Sequence, residues 1–320
     1  MTGASEKEKN QYAIAFYNVE NLFDTVDDPA TFDDAFTAKS KRKWNESRLK
    51  KKLKKIGRII SNIGFDESGH PPAIIGVAEV ENAFVLEALI ASKFLKNKGY
   101  AIVHFDSPDE RGIDTALLYR SNYFKVTHAK AHNVFLTNLA GNQDFTRDIL
   151  QVQGLLDGKS VHILVNHWPS RHGGATETAL RRIVHAKKAR EIIAMITSEA
   201  PDARIIVMGD FNDDPNSESI KHLVSNDFHN PMVLLLTNNE GSSSYRGEWN
   251  LFDQIIVSHN FMRQYGNTFR LDEAKIYNAK SLQAYKGKNK GTPFRTYAGR
   301  KYLGGMSDHF PVYALFTIEK

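Results

Sequence analysis

Apolar residues fall in short blocks along the chain, and the spacing within each block predicts an element. QYAIAFYN (11–18) is rich in aromatic and β-branched side chains and reads as a strand. The next stretch, DTVDDPATFDD (24–34), carries Pro and turn formers and reads as a surface loop. Over 45–63 the period changes: Leu49, Leu53, Ile56, Ile59, Ile60 and Ile63 recur at three- and four-residue steps, with Lys crowding the other face. That is the signature of a half-buried helix. AIIGVAEV (73–80) follows Pro71-Pro72 as a nearly unbroken apolar run and predicts a buried strand. ALLYR (116–120), HILVNHW (162–168), RIIVMGD (204–210), LFDQIIVS (251–258) and PVYALFTI (311–318) predict further strands. Leu180, Ile183, Val184, Ile192, Ile193 and Ile196 fit one face of a helix starting near Thr176.

Some strands follow helices and others follow strands through short turns. This order predicts a layered α/β fold with mixed sheets rather than a doubly wound parallel one. No repeat and no linker interrupts it. The expected organisation is a flexible leader over 1–10 and one domain over 11–320.

Composition narrows the picture. With 41% hydrophobic and 25% charged residues, the 320-residue chain is that of an ordinary globular protein. No apolar run reaches membrane-spanning length. The absence of Cys removes disulfides and thiolate chemistry and leaves the redox compartment open. MTGASEKEKN lacks an apolar signal core, so it fits either a cytoplasmic chain or one already processed. A net charge of +5 spread over the whole length does not by itself point to nucleic acid.

The polar residues at strand ends change the reading more. Asn18 ends the first strand, Glu79 nearly ends the second, and His167 follows Asn166 at the end of another. Asp210 and Asn212 sit in Gly-Asp-Phe-Asn after a fourth; Asp253 opens a fifth; Asp308 and His309 precede the last. Each motif alone also reads as a turn or a strand terminus. Six such ends, all drawing on Asp, Glu, Asn and His, predict one converged site. Carboxylates with an amide suit a hard cation such as Mg²⁺ or Mn²⁺, since there is no Cys ligand set and no HExxH spacing for zinc. Isolated His residues suit stabilisation of phosphate oxygens during attack by an activated water.

Seven blocks in this order carry a resemblance. They are YNVENLFDT (17–25), GVAEVEN (76–82), RGIDTALLY (111–119), VNHWPSR (165–171), MGDFNDDPNS (208–217), FDQIIVS (252–258) and SDHFPVY (307–313). The set resembles the endonuclease/exonuclease/phosphatase superfamily, with its deoxyribonuclease I-like fold. NVENLFDT and VNHWPSR look most like a bacterial extracellular nuclease-like branch, which would place the protein in the periplasm or outside the cell. The resemblance implies a four-layered α/β sandwich, two packed mixed β-sheets flanked by helices, with the site at one end between the sheets. It implies Glu79 as a metal ligand, with Asn18 and Asp308 at or beside the metal. Asp210 would orient or deprotonate water, Asn212 would contact the phosphate, and His309 would bind it with Asp253 holding the ring. His167 matches a second histidine of the deoxyribonuclease I and sphingomyelinase branches. The family's abasic-site enzymes carry a Tyr near the position of Arg111 and an Asp at the position of Glu20. Here Arg111 would replace that phosphate contact, and Glu20 would come within reach of a metal-bound water. Arg171 and Arg295 complete the expected substrate contacts.

Two basic stretches bear on substrate. Lys and Arg crowd 39–58, a pattern that fits a solvated helix face. YKGKNKGTPFRTYAGRKY (285–302) interleaves cations with aromatics and leads into Ser307-Asp308-His309. Such a loop suits phosphate contacts and base stacking. The chemistry thus predicts a phosphate-ester substrate, with nucleic acid foremost, and a lipid- or sugar-phosphate hydrolase as the alternative.

Overall fold

The computed structural model describes residues 9–137, 141–262 and 268–319. Its main strands are β1 (Lys9–Leu22), β2 (Ile74–Val80), β3 (Tyr100–His104), β4 (Asp114–Arg120), β5 (Phe124–His132) and β6 (Ile149–Leu156). They continue as β7 (Lys159–His167), β8 (Ile205–Asp210), β9 (Phe228–His229), β10 (Asp253–Ser258), β11 (Phe269–Ile276) and β12 (Val312–Glu319). The principal helices are α1 (Glu46–Ile60), α2 (Ala83–Ile90), α3 (Ala175–Glu199) and α4 (Glu218–Val224). The leader expected over 1–10 lies outside the described residues up to position 8, and β1 already starts at Lys9.

Among the described residues the strands form two six-stranded sheets, β11-β12-β1-β2-β4-β3 and β9-β10-β8-β7-β6-β5. Each has a parallel pair at its centre, β1 with β2 and β8 with β7, flanked by antiparallel neighbours. The mixed-sheet expectation holds.

Strand alternation decides what faces what. Successive side chains point to opposite faces, so residues two apart share a face. In β1, Tyr12, Ile14 and Phe16 pack into the core between the sheets, while Ala13, Ala15 and Tyr17 face α1 and α2. In β8, Ile206 and Met208 face between the sheets, and Ile205 and Val207 face α3 and α4. Three apolar clusters therefore separate four layers: helices, sheet, sheet, helices.

Helix α1 starts where the Asn45 side chain accepts a hydrogen bond from the Arg48 N–H at 3.1 Å, and Asn82 caps α2 in the same way. The predicted stripe of α1 is buried throughout, from Leu49 to Ile63. Two expectations need correction. Lys52, read as part of a solvated face, is buried, and its ammonium donates to the Glu20 carbonyl and, at 2.8 Å, to Thr296 Oγ1. In α3, Leu180 is 76% exposed and Val184 is also exposed. The buried face there runs through Thr178, Arg182, His185, Ala186 and Ala189, because the first half of the helix packs on a polar loop.

Candidate active site

The same alternation builds the site. Asn18 continues the row Ile14, Phe16 in β1; His167 continues Ile163, Val165 in β7; Asp210 continues Ile206, Met208 in β8; Asp253 begins the row Ile255, Val257 in β10. Each is the last residue of a row that faces the opposite sheet. The intersheet core thus ends in a polar layer at one end of the sandwich.

Glu79 breaks the parity. It should face the helices, but the β2 register shifts between Ala78 and Val80, and Glu79 takes φ 62°. A matching irregularity lies between Asn18 and Leu22, where Glu20 and Asn21 have φ 50° and 52°. Asn212 adds φ 50°. Left-handed backbone at non-Gly residues is uncommon and costs energy. Here it re-aims side chains toward the shared end.

The contacts converge. The Asn18 amide donates to Asp210 Oδ2 at 2.9 Å and to Glu79 Oε1 at 3.3 Å, while its oxygen accepts from the Glu20 N–H at 2.9 Å. Asn18 therefore bridges two carboxylates and presents its NH₂, not its oxygen, to the centre. Glu79 Oε2 also accepts from the Asn21 N–H at 2.8 Å. Ser307 Oγ donates to the Asn18 carbonyl at 2.6 Å, fastening the Asp308-His309 turn to β1. His309 Nδ1 bonds Asp253 Oδ2 at 2.6 Å, and its Nε2 lies 3.8 Å from Asp210 Oδ2. His167 Nε2 stands 3.8 Å from Asp210 and 3.9 Å from Glu79. The Asn212 N–H donates to Asp210 Oδ1 at 2.9 Å.

The electrostatics separate the roles. Burial pushes Asp210 up to about 7, with the Asp253 charge adding to it, while His309, Asn18 and the Asn212 N–H pull the other way. Burial would depress His309, but Asp253, Asp210 and Asp308 outweigh it and hold the ring well above its ordinary value. His167 goes the other way: burial, with Arg147 and Arg111 nearby, keeps it neutral, and its Nδ1 has no partner among the described residues. The site therefore sets an imidazole biased toward its charged form and one biased toward its neutral form beside one raised carboxyl.

A cation would bind on the β2 side. Glu79 is 14% exposed and Asp308 31%, and the charges of Glu20, Glu79 and Asp308 all act on the buried Lys52. Burial and the Asp308 charge lift Glu20 to about 7. Glu20, Glu79 and Asp308 offer the carboxylate oxygens that a hard divalent ion takes, with Arg111 and Arg295 beside two of them. The all-oxygen donors fit Mg²⁺ or Mn²⁺. The tighter group of Asp210, Asp253 and His309 has its donor atoms within 4.8 Å of one another. Within that group Asp253 and His309 are hydrogen-bonded to each other, and Asp210 stands 3.8 Å from the ring.

Of the expected substrate contacts, Arg111 and Arg295 stand at the rim. Arg111 is 45% exposed and reaches Asn21 Oδ1 at 2.7 Å, with Glu79 at 3.8 Å. Arg295 is 43% exposed and pairs with Asp308. Arg171 is placed differently. It donates to the Asn212 carbonyl at 2.9 Å, Asp213 at 3.1 Å and Asp214 at 3.0 Å, and stacks 4.6 Å over Phe252. Those bonds occupy its donors, so it braces the loop after β8. Sequence reasoning missed Arg147, which pairs with Asp109 at 2.9 Å and donates to the Trp168 carbonyl. Nothing in the spacing around Arg147 signals that role.

The model of the Endonuclease/Exonuclease/phosphatase family matches residues 13–320. The chain belongs to that family. Its members are phosphoesterases, and so is this chain. No curated protein is a significant match. Among solved structures, a family member from Bacteroides thetaiotaomicron has a TM-score of 0.59 at 17% identity, covering 98% of this chain and 97% of that one. TDP2 from D. rerio, solved with a single-strand DNA product, gives 0.58 at 15%, covering 96% and 98%. A mannosyl-6-phosphatase from Bacteroides thetaiotaomicron gives 0.55 at 16%, covering 95% and 98%. At these identities the likeness concerns the fold, and the family's four-layered sandwich is the one described above.

Proposed function

We propose that this phosphoesterase is a divalent-metal-dependent phosphodiesterase of nuclease type. One observation carries the reading: His309, oriented by Asp253 at 2.6 Å, faces the buried Asp210 across 3.8 Å. In this proposal His309 donates to a non-bridging phosphate oxygen, and Asp253 fixes which ring nitrogen points there. Asp210 takes the proton of the attacking water, a role suited to a carboxyl that titrates near neutrality. The His167 ring lines the phosphate position, while the Asn212 amide donates to the Trp168 carbonyl at 3.0 Å and its N–H holds Asp210. Glu79 and Asp308 would hold the cation, and Asn18 ties Glu79 to Asp210. The cation supplies charge neutralisation at the phosphate. Arg111 and Arg295 grip phosphate oxygens at the rim.

The diester preference is supported by the meeting of the two basic stretches. Lys52 bonds Thr296, Arg48 bonds the Tyr297 hydroxyl, and Lys55 bonds the Gly304 carbonyl. Buried Lys52 fastens the two stretches together, and half-buried Arg48 and exposed Lys55 give the cationic-aromatic surface leading to Asp308 that suits a polyanionic chain. A panel of single- and double-stranded DNA, RNA, bis-p-nitrophenyl phosphate, sphingomyelin and sugar phosphates, with Mg²⁺, Mn²⁺ or EDTA, tests it. Diester turnover that vanishes with EDTA and returns with metal is expected. Turnover confined to a small monoester moves the assignment to a phosphatase, and full activity in chelator rejects metal dependence.

A further inference from the structure

Arg42 lies in the first basic stretch, outside the set of residues placed at the reaction centre. Its guanidinium carbon sits 4.5 Å from the ring centroid of Phe36 and 5.6 Å from that of Tyr297. Its backbone is pinned as well: the Arg42 carbonyl accepts from the Tyr297 hydroxyl at 3.2 Å and from Arg48. Among the described residues no hydrogen bond or ion pair engages its guanidinium nitrogens. A guanidinium stacked on rings keeps its N–H donors free in its own plane, at low cost in rotamer freedom.

The same side chain lines a cavity of about 210 Å³ together with Arg295, Thr296, Tyr297, Glu20 and Asp308. Asp308 is paired with Arg295, and Glu20 lies in the field of Lys52. Arg42 is thus the unmatched charge of the cavity. The volume holds several waters and is enough for a phosphate group.

We propose that Arg42, held between Phe36 and Tyr297, forms a second phosphate subsite that takes a phosphate flanking the scissile one. The inference rests on the phosphodiesterase reading and names what that site recognises: a chain with at least two phosphates.

The test is equilibrium binding to the full chain carrying His309→Ala, with Mg²⁺ present. The probes are the dithymidylate TpT and its 5′- and 3′-phosphorylated forms. One phosphorylated form is expected to bind at least about tenfold tighter than TpT, as suits a charge-assisted bidentate contact. Adding Arg42→Met, which keeps the aliphatic stem against both rings, should bring that ratio close to one. Arg42→Lys should leave an intermediate ratio. The proposal is overturned if the ratio survives in Arg42→Met, if neither phosphorylated form binds tighter, or if no form binds at millimolar concentration. Equal weakening of all three probes also overturns it, because Arg42 would then only shape the cavity. Turnover is not needed, so failure of the wild-type chain to cleave any diester would reject the activity while the binding ratio is judged separately.

Discussion

Asp210 is 1% exposed, and its carboxyl is lifted from the usual 3.8 to about 7. Because the folded value lies above the unfolded one, the buried anion destabilises the native state. That cost is absent below about pH 4, grows between 4 and 7, and is complete above 7. In chelator, Asp210→Asn should therefore gain stability relative to wild type as pH rises through this window, by about 1 kcal/mol or more. Melting temperatures at pH 5 and pH 8 check it, and a pH-independent difference would contradict it. Activity should rise through about pH 7 in the wild type. In the proposed mechanism His309 and Asp253 act as one unit, so Asp253→Asn and His309→Ala should each cost on the order of a hundredfold in rate, with the double variant little worse. Additive losses in steady-state kinetics would show that the pair is uncoupled. Residue type alone made these groups legible, since a carboxyl, an amide or an imidazole at the end of an apolar row has few structural uses. Lys52 was hidden in a run of lysines, although its place between Leu49 and Ile56 puts it on the buried arc of α1. Arg171 could not be separated from Arg111 or Arg295 by sequence, because only the fold reveals that Asp213 and Asp214 claim it.

Buried central strands were readable because they are unbroken apolar runs, as in β2 and β8. β5 was not: FKVTHAKAH is mostly partly or fully exposed, and its lysines suit an edge strand that pairs on one side only. The bulges at Glu20 and Glu79 were also invisible, since no Gly or Pro marks them. In α3 the apolar count misled, because Arg182 takes a core position. It meets Asp213 at 2.8 Å and donates to Thr178 Oγ1 at 2.7 Å, anchoring the helix to the loop after β8. Arg182→Ala strands part of the Asp213 charge, with Arg171 still facing it. A loss of about 3 kcal/mol is expected, the low end for breaking a buried pair. Urea unfolding measures it; a loss below about 1 kcal/mol would mean that Arg171 alone holds the loop. Gly209, within that same loop's strand, allows a different kind of closeness. A Cβ there would meet the Asn166 carbonyl oxygen at 2.3 Å, so only glycine lets β8 approach β7 beneath the site.

No helix among the described residues is long and apolar enough to cross a membrane, so the apolar surface of the helices serves the layers. Both sheets contribute to the site: Asn18 and Glu79 come from one, His167, Asp210 and Asp253 from the other. A cation held by Glu79 and Asp308 would offset charge repulsion in the folded state alone. Mg²⁺ at about a hundred times its dissociation constant should then stabilise the fold by about 2.7 kcal/mol. Thermal unfolding with Mg²⁺ against EDTA reads this directly, and coincident curves would argue against a cation at these residues. The pairing of Lys9 with Glu319 has another consequence, in time rather than energy. The ribosome makes β1 early and its partner β12 some three hundred residues later, roughly 15–60 s at ordinary elongation rates. Asp308 and His309 emerge just ahead of that last strand. Through that interval Asn18 and the groups that follow it wait for Asp308 and His309, and the cluster cannot close before that strand is made.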